Sequence, residues 1–228
     1  YNAINTFSLD TLRWKEEYLP TPCSDMRPDN FDWSKGAWGR GSVAAVPAAR
    51  HTEDLMSMAG DELILVTSVE GNGGPGCLQW PTYGSYEIRS QNQVAHYNFR
   101  TKTWTFGAAS AQSYNWPASE YDPVSNKILM FGLDGLSLYD PVTTKRTVYM
   151  DFLSGSYPAT DESGNPLNYN VVDETPRYNN TLVYYPPTDK FYYFEKFAGT
   201  IFEITLGILP GPSELRRRRY PQRGSADG

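Results

Sequence analysis

The sequence has few of the residues that build metal centres and has no long apolar run. Cysteine and histidine occur only twice each among 228 residues, and neither Cys23, Cys77, His51 nor His96 stands at a metal-ligand spacing. We therefore predict no metal site and no cofactor. No stretch approaches the roughly 18 consecutive apolar residues of a membrane helix, so we also predict no membrane span. The two cysteines are either buried thiols or one disulfide, and the sequence does not decide between them.

Signatures of nucleotide binding and of nucleophilic catalysis are also missing. Gly71–Gly76 (GNGGPG) matches G-x-G-x-x-G, but that motif needs a following helix to hold a pyrophosphate, and the residues after it include Pro81 and have no helical period. We interpret this segment as a flexible loop. No Gly-x-Ser-x-Gly nucleophile elbow is present either.

Charge is distributed unevenly along the chain. The formal net charge is −6, yet the last thirteen residues carry Arg216–Arg219 and Arg223 against Asp227 alone. The acidic body predicts no nucleic-acid partner, because a duplex would be repelled over most of the surface. The basic segment at 207–228 is predicted to be a disordered tail.

Aromatic residues and turn formers dominate what is present. The 17 Tyr, 10 Phe and 6 Trp suit strands, the 19 Gly and 17 Pro suit turns, and no Ala/Glu/Lys/Leu run has helical period. We predict an all-β fold with little helix.

Two short patterns recur along the chain. Tyr121–Ile128 (YDPVSNKI) aligns without a gap on Tyr184–Phe191 (YYPPTDKF), and each is followed by an apolar strand. Phe7–Trp14 (FSLDTLRW) matches Tyr97–Trp104 (YNFRTKTW), and more loosely Tyr139–Arg146 (YDPVTTKR). Each pattern reads as strand, turn, strand, so both predict antiparallel hairpins.

Taken in order, the patterns predict a hairpin at 4–17 and four-stranded antiparallel units at about 48–107, 114–150 and 178–206. Serial meanders without helices are typical of propellers, sandwiches and barrels, and the recurrence of one meander favours a propeller.

These motifs resemble the blades of kelch-like β-propellers. The resemblance rests on the Tyr-x-Pro-x-(Ser/Thr)-(Asn/Asp)-Lys turns, on the second Tyr-Asp turn and on Pro47–His51 (PAARH), which is similar to the Pro-x-x-Arg that opens such blades. The Gly-Gly doublet of that family is missing. The resemblance implies an array of four-stranded blades, and three units plus a hairpin form either a small ring or part of a larger one that associates with further blades or other chains.

The predicted ligand surface lies where the chain leads into each blade and in the aromatic insertions. Propeller geometry brings the segments before each first strand to one mouth, and flat aromatic faces stack on sugar rings or apolar side chains. The candidate residues are Arg50, His51, Trp80, Tyr83, Asn115, Trp116, Arg177 and Tyr178.

These observations favour a non-catalytic binding or assembly module for a glycan or protein partner, in an extracellular or surface-associated setting. Two alternatives stay open. One is an enzyme on the propeller scaffold, such as a sialidase-like hydrolase, a lyase or a galactose-oxidase-like enzyme. The other is a structural component of a large assembly, such as a virion or surface appendage.

Overall fold

The structure is a computed structural model. It describes residues 3–19, 22, 25, 28–32, 34–39, 41, 44–47, 56–66, 93–110, 118–132, 135–151, 159–160, 163, 165, 181–194, 200–206 and 214–219. Over these residues the chain is all-β, as predicted, with short 3₁₀ turns at Pro28–Asn30 and Pro186–Thr188 and no α-helix. None of the described segments forms a helix with the length and apolarity needed to cross a bilayer.

The chain divides into two compact units, residues 1–114 with 141–145, and residues 115–140 with 146–228. The first unit holds a two-stranded sheet, a small three-stranded sheet and a four-stranded sheet. Their strands are β1 (Ile4–Ser8) and β2 (Arg13–Tyr18); β3 (Phe31–Asp32), β4 (Ala37–Trp38) and β5 (Val46–Pro47); and β6 (Met56–Ala59), β7 (Glu62–Leu65), β8 (Gln93–Asn98) and β9 (Thr103–Ser110).

The second unit holds a four-stranded and a five-stranded sheet. The first consists of β10 (Ala118–Asp122), β11 (Lys127–Gly132), β12 (Gly135–Asp140) and β13 (Lys145–Asp151). The second consists of β14 (Ala159–Thr160), β15 (Thr181–Tyr185), β16 (Lys190–Phe194), β17 (Thr200–Thr205) and β18 (Glu214–Arg219), in the spatial order β14-β18-β17-β16-β15.

Three sheets share one topology. In β6–β9, β10–β13 and β15–β18, each strand pairs antiparallel with the next strand along the chain. The predicted antiparallel sheets are therefore confirmed. Within neither unit do the described sheets close into a ring.

One backbone conformation closes the turns of five hairpins. The residue just before the second strand has a positive φ between 51° and 59° in every case, and these residues are Leu12, Lys102, Asn126, Thr144 and Asp189. This left-handed conformation brings the chain back in register, and Asn and Asp adopt it at lower cost than other side chains. The aligned sequence patterns thus correspond to one repeated turn.

Side-chain hydrogen bonds explain the recurring Tyr and Asn/Asp of the first pattern. The Tyr121 hydroxyl donates to Asn126 Oδ1 over 2.6 Å, and the Tyr184 hydroxyl donates to Asp189 Oδ1 over 3.0 Å. In both hairpins the phenol therefore holds the residue with positive φ from five positions upstream. The buried Asp122 also accepts a hydrogen bond from the Val124 backbone N–H over 2.9 Å.

The structure differs from the predicted tail at Glu214–Arg219, which form β18 and pair antiparallel with all of β17. The four arginines indicated a solvated, disordered segment. Strand pairing, however, is made by backbone N–H and C=O groups, so a charged sequence does not prevent it when a neighbouring strand offers unpaired groups.

The insertion after β2 contains the short β3–β5 sheet. Phe31 and Trp38 face each other across it in an edge-on arrangement, with ring centroids 4.7 Å apart, and both are buried. Trp38 is therefore a packing residue in the first unit.

Candidate functional site

The two large sheets of the second unit pack face to face. We define face A of β10–β13 as the side that carries Ala118, Leu129, Phe131, Leu136 and Leu138. Face B of β15–β18 is the side that contributes Leu182, Phe191, Tyr193, Phe202 and Ile204. These ten residues form one buried cluster, centred on Phe131, whose ring lies 4.1 Å from that of Tyr193 and 6.2 Å from that of Phe202. Face A of one sheet thus packs on face B of the next.

Register pairing shows which positions of the sheets correspond. Ile128 pairs with Tyr139 across β11 and β12, Phe191 with Ile204 across β16 and β17, and Leu63 with Tyr97 across β7 and β8. Phe191 and Ile204 lie on face B, so the corresponding pairs mark face B in the other two sheets. Because side chains alternate between the two faces of a strand, the residues on either side of these pairs belong to face A. Face B of β6–β9 then includes Leu65, Ala95, Tyr97 and Trp104.

In the first unit, the β1–β2 hairpin packs on this face B. Ile4 joins Leu65, Ala95, Tyr97 and Trp104 in a second buried cluster, and the half-buried Tyr18 packs against it. The ring of Tyr18 meets those of Tyr97 and Trp104 edge-on, at centroid distances of 5.6 and 6.1 Å. Phe7 aligns with Tyr97 and therefore marks face B of the hairpin. The side of the hairpin that packs on β6–β9 is the opposite one, face A. The face A on face B arrangement therefore occurs in both units.

An ion pair reinforces the hairpin contact. The Glu17 carboxylate, whose side chain is 9% exposed, binds Lys102 of the β8–β9 turn, and it also accepts from Lys15 and Thr6. Hydrogen bonds from Lys102 and then Lys15 lower the pKa of Glu17 to about 2. The Tyr97 hydroxyl donates to the Glu17 carbonyl over 3.3 Å.

Two sheet faces that correspond to these buried faces are exposed. The first is face B of the hairpin, where Phe7 and Trp14 are paired across the strands with ring centroids 5.2 Å apart. Phe7 is 42% exposed and Trp14 72%, whereas Tyr97 and Trp104 at the same register positions are buried. The hairpin thus presents an uncovered aromatic pair.

The second exposed surface is face A of β15–β18. It carries Val183, Tyr185 and Phe194, all exposed, beside the half-buried Tyr192 and Ile201. Tyr185 and Tyr192 meet edge-on at 6.3 Å. Phe194 is 40% exposed, while Phe131 at the corresponding position of β11 is 2% exposed. This face has the composition of a buried interface but lies at the surface.

A polar pair on face A of each four-stranded meander joins the first residue of the second strand to a residue of the third strand. Lys127 Nζ lies 3.0 Å from Asp140 Oδ2, and Lys190 Nζ lies 2.7 Å from Glu203 Oε1. In β6–β9 the pair is Glu62 Oε2 and His96 Nδ1, 3.1 Å apart. The Tyr192 hydroxyl also donates to Glu203 Oε2 over 3.4 Å, so two side chains of the exposed face A hold the buried Glu203 carboxylate.

A metal-binding cluster is absent from the described part of the chain. Those residues contain no group of three or more His, Cys, Asp or Glu that could hold a metal ion. The Glu62–His96 pair is a structural contact between neighbouring strands, since His96 is buried within the sheet.

The ligand residues predicted from sequence lie outside the described residues. This holds for Arg50, His51, Trp80, Tyr83, Asn115, Trp116, Arg177 and Tyr178, and for the cysteines Cys23 and Cys77. Their predicted roles stay predictions. Sequence reasoning missed Phe7, Trp14 and Phe194. A signal existed in the alignment of Trp14 on Trp104, but two equivalent tryptophans do not indicate which one is covered.

Comparison with known proteins adds no family to this description. No protein-family model matches the chain, and no curated protein resembles it significantly.

Proposed function

We propose that the chain is a non-catalytic binding or assembly module built from propeller-like blades, and that it docks protein partners on its exposed aromatic sheet faces. The kelch-like motifs and the three sheets of meander topology support the blade interpretation. The role in binding rests on one observation: Phe7, Trp14 and Phe194 are exposed at positions where the other sheets bury Tyr97, Trp104 and Phe131.

A protein partner fits these faces better than a glycan does. Large contiguous apolar surfaces on a folded protein mark interaction sites, and Trp, Tyr and Phe are enriched at the centres of protein interfaces. Face A of β15–β18 adds the aliphatic side chains of Val183 and Ile201 to its aromatic rings. Glycan sites instead combine an aromatic platform with polar groups directed at the ligand, whereas Lys190, Glu203 and Tyr192 of this face bind one another.

Site-specific photo-cross-linking tests the proposal. A photoreactive residue replaces Trp14 or Phe194, and a matched control carries it at Val124, a 69% exposed apolar residue of the β10–β11 turn that lies on neither face. After irradiation in extracts of the cells that produce the protein, we expect protein adducts at positions 14 and 194 well above those at 124. Equal yields at the three positions would refute a specific docking role for the two faces.

A further inference from the structure

We infer that the partner of the exposed hairpin is a second copy of this chain, so that copies associate head to tail. The inference rests on the proposed function and names its partner. Its basis is that the two exposed surfaces are the two different halves of one type of interface. The hairpin presents a face B, and β15–β18 presents a face A.

Both internal interfaces have the same polarity. Face A of the hairpin packs on face B of β6–β9, and face A of β10–β13 packs on face B of β15–β18. A face A is therefore the surface that covers a face B in this protein. Among the described sheets, the hairpin carries an uncovered face B and β15–β18 an uncovered face A, so the second copy supplies the surface that the first one lacks.

The residues at the two exposed faces match the chemistry of the buried ones. The Phe7–Trp14 pair occupies the register positions of Tyr97 and Trp104, which Tyr18 covers edge-on. Face A of β15–β18 offers Tyr185, Tyr192 and Phe194 for similar edge-on contacts, which aromatic rings prefer over parallel stacking. An interface formed in this way is heterologous, because each copy contributes a different surface.

The expected interface is small. The two hairpin strands of about five residues cover roughly 16 Å by about 10 Å, so the total buried area is a few hundred Å², below the roughly 1,000 Å² of stable specific interfaces and in the range of weak, transient contacts. Association should therefore be weak and depend on concentration, with dissociation constants of about 10 μM to 1 mM.

Analytical ultracentrifugation of the purified full chain tests this inference. We expect the weight-average mass to rise between about 10 μM and about 1 mM. Trp14→Ser and Phe194→Ser should each weaken association at least about 10-fold, as expected for aromatic residues at the centre of an interface, while the exposed control Val124→Ser should not. Val183→Lys, a second face A variant that keeps every aromatic ring, should also weaken association because it places a charge in the interface. Circular dichroism checks that each variant is folded.

A mixture of two variants gives the decisive result. At a concentration where the wild-type chain is associated, Trp14→Ser and Phe194→Ser should each be mostly monomeric alone. An equimolar mixture should nevertheless form a dimer that does not grow, because one intact face B meets one intact face A. The inference is overturned if the wild-type chain stays monomeric at every concentration, or if Trp14→Ser alone still associates like the wild type. If the pure chain is monomeric while residues 14 and 194 still cross-link to another protein, self-association fails and the proposed binding function stands.

Discussion

Phe131 and Phe194 occupy the same repeat position but different surroundings, so their truncation should have different costs. Phe131 is 2% exposed at the centre of the cluster between two sheets, and Phe131→Ala should destabilise the second unit by about 3–5 kcal/mol through lost burial and the cavity that remains. Phe194 is 40% exposed, so its truncation leaves no enclosed cavity. Full burial of a Phe side chain contributes about 1.5–3 kcal/mol, so Phe194→Ala should cost about 1–2 kcal/mol.

Urea unfolding, monitored by hydrogen exchange in peptides from β11 and β16, measures the loss of stability of the second unit in each variant. With a denaturant slope of about 2 kcal/mol/M, the midpoint should fall by about 1.5–2.5 M for Phe131→Ala and by about 0.5–1 M for Phe194→Ala. The protein is kept dilute so that association does not contribute. Equal midpoints for the two variants would refute the assignment of Phe194 to an uncovered face.

Two further predictions concern the hairpins. Glu17 has a folded-state pKa of about 2, below the ordinary glutamate value. Its ion pair therefore stabilises the fold above about pH 4.5, and this contribution is lost as the pH falls towards 2. NMR titration should show the low pKa of Glu17, and Lys102→Met should raise it. Leu12→Gly should stabilise the protein by about 0.5–1 kcal/mol, because glycine adopts a positive φ without the steric cost of a side chain. Asn126→Gly should give no gain, because it breaks the hydrogen bond from Tyr121. Thermal unfolding compares the two variants, and a gain in stability for both would contradict this account.

The hairpins could be predicted from sequence because their chemistry is local. The Tyr, Asp and Asn of YDPVSNKI make their hydrogen bonds within a few residues of one another, so the pattern itself carries the turn. The sheets of meander topology follow from the order of such hairpins. What joins one sheet to the next depends on residues far apart in sequence, and no local pattern reports it.

The exposed faces could not be predicted for a related reason. In strands such as Phe191–Phe194 both alternating positions are apolar or aromatic, so periodicity does not distinguish the covered face from the uncovered one. The strand at Glu214–Arg219 was missed because its charge suggested a solvated segment, while its pairing comes from the backbone. The ligand residues expected at the blade entries and in the aromatic insertions lie outside the described part of the chain and are unchanged as predictions.

Strand β14 has a consequence for how such molecules can accumulate. Over the described residues it pairs with β18 through Ala159 and Thr160, in parallel, and the strand it borders contains four consecutive arginines. A very short border strand and repeated positive charge both discourage another chain from adding laterally by main-chain hydrogen bonds, which is the growth direction of amyloid. This border of the sheet should therefore resist the addition of a further strand from another molecule.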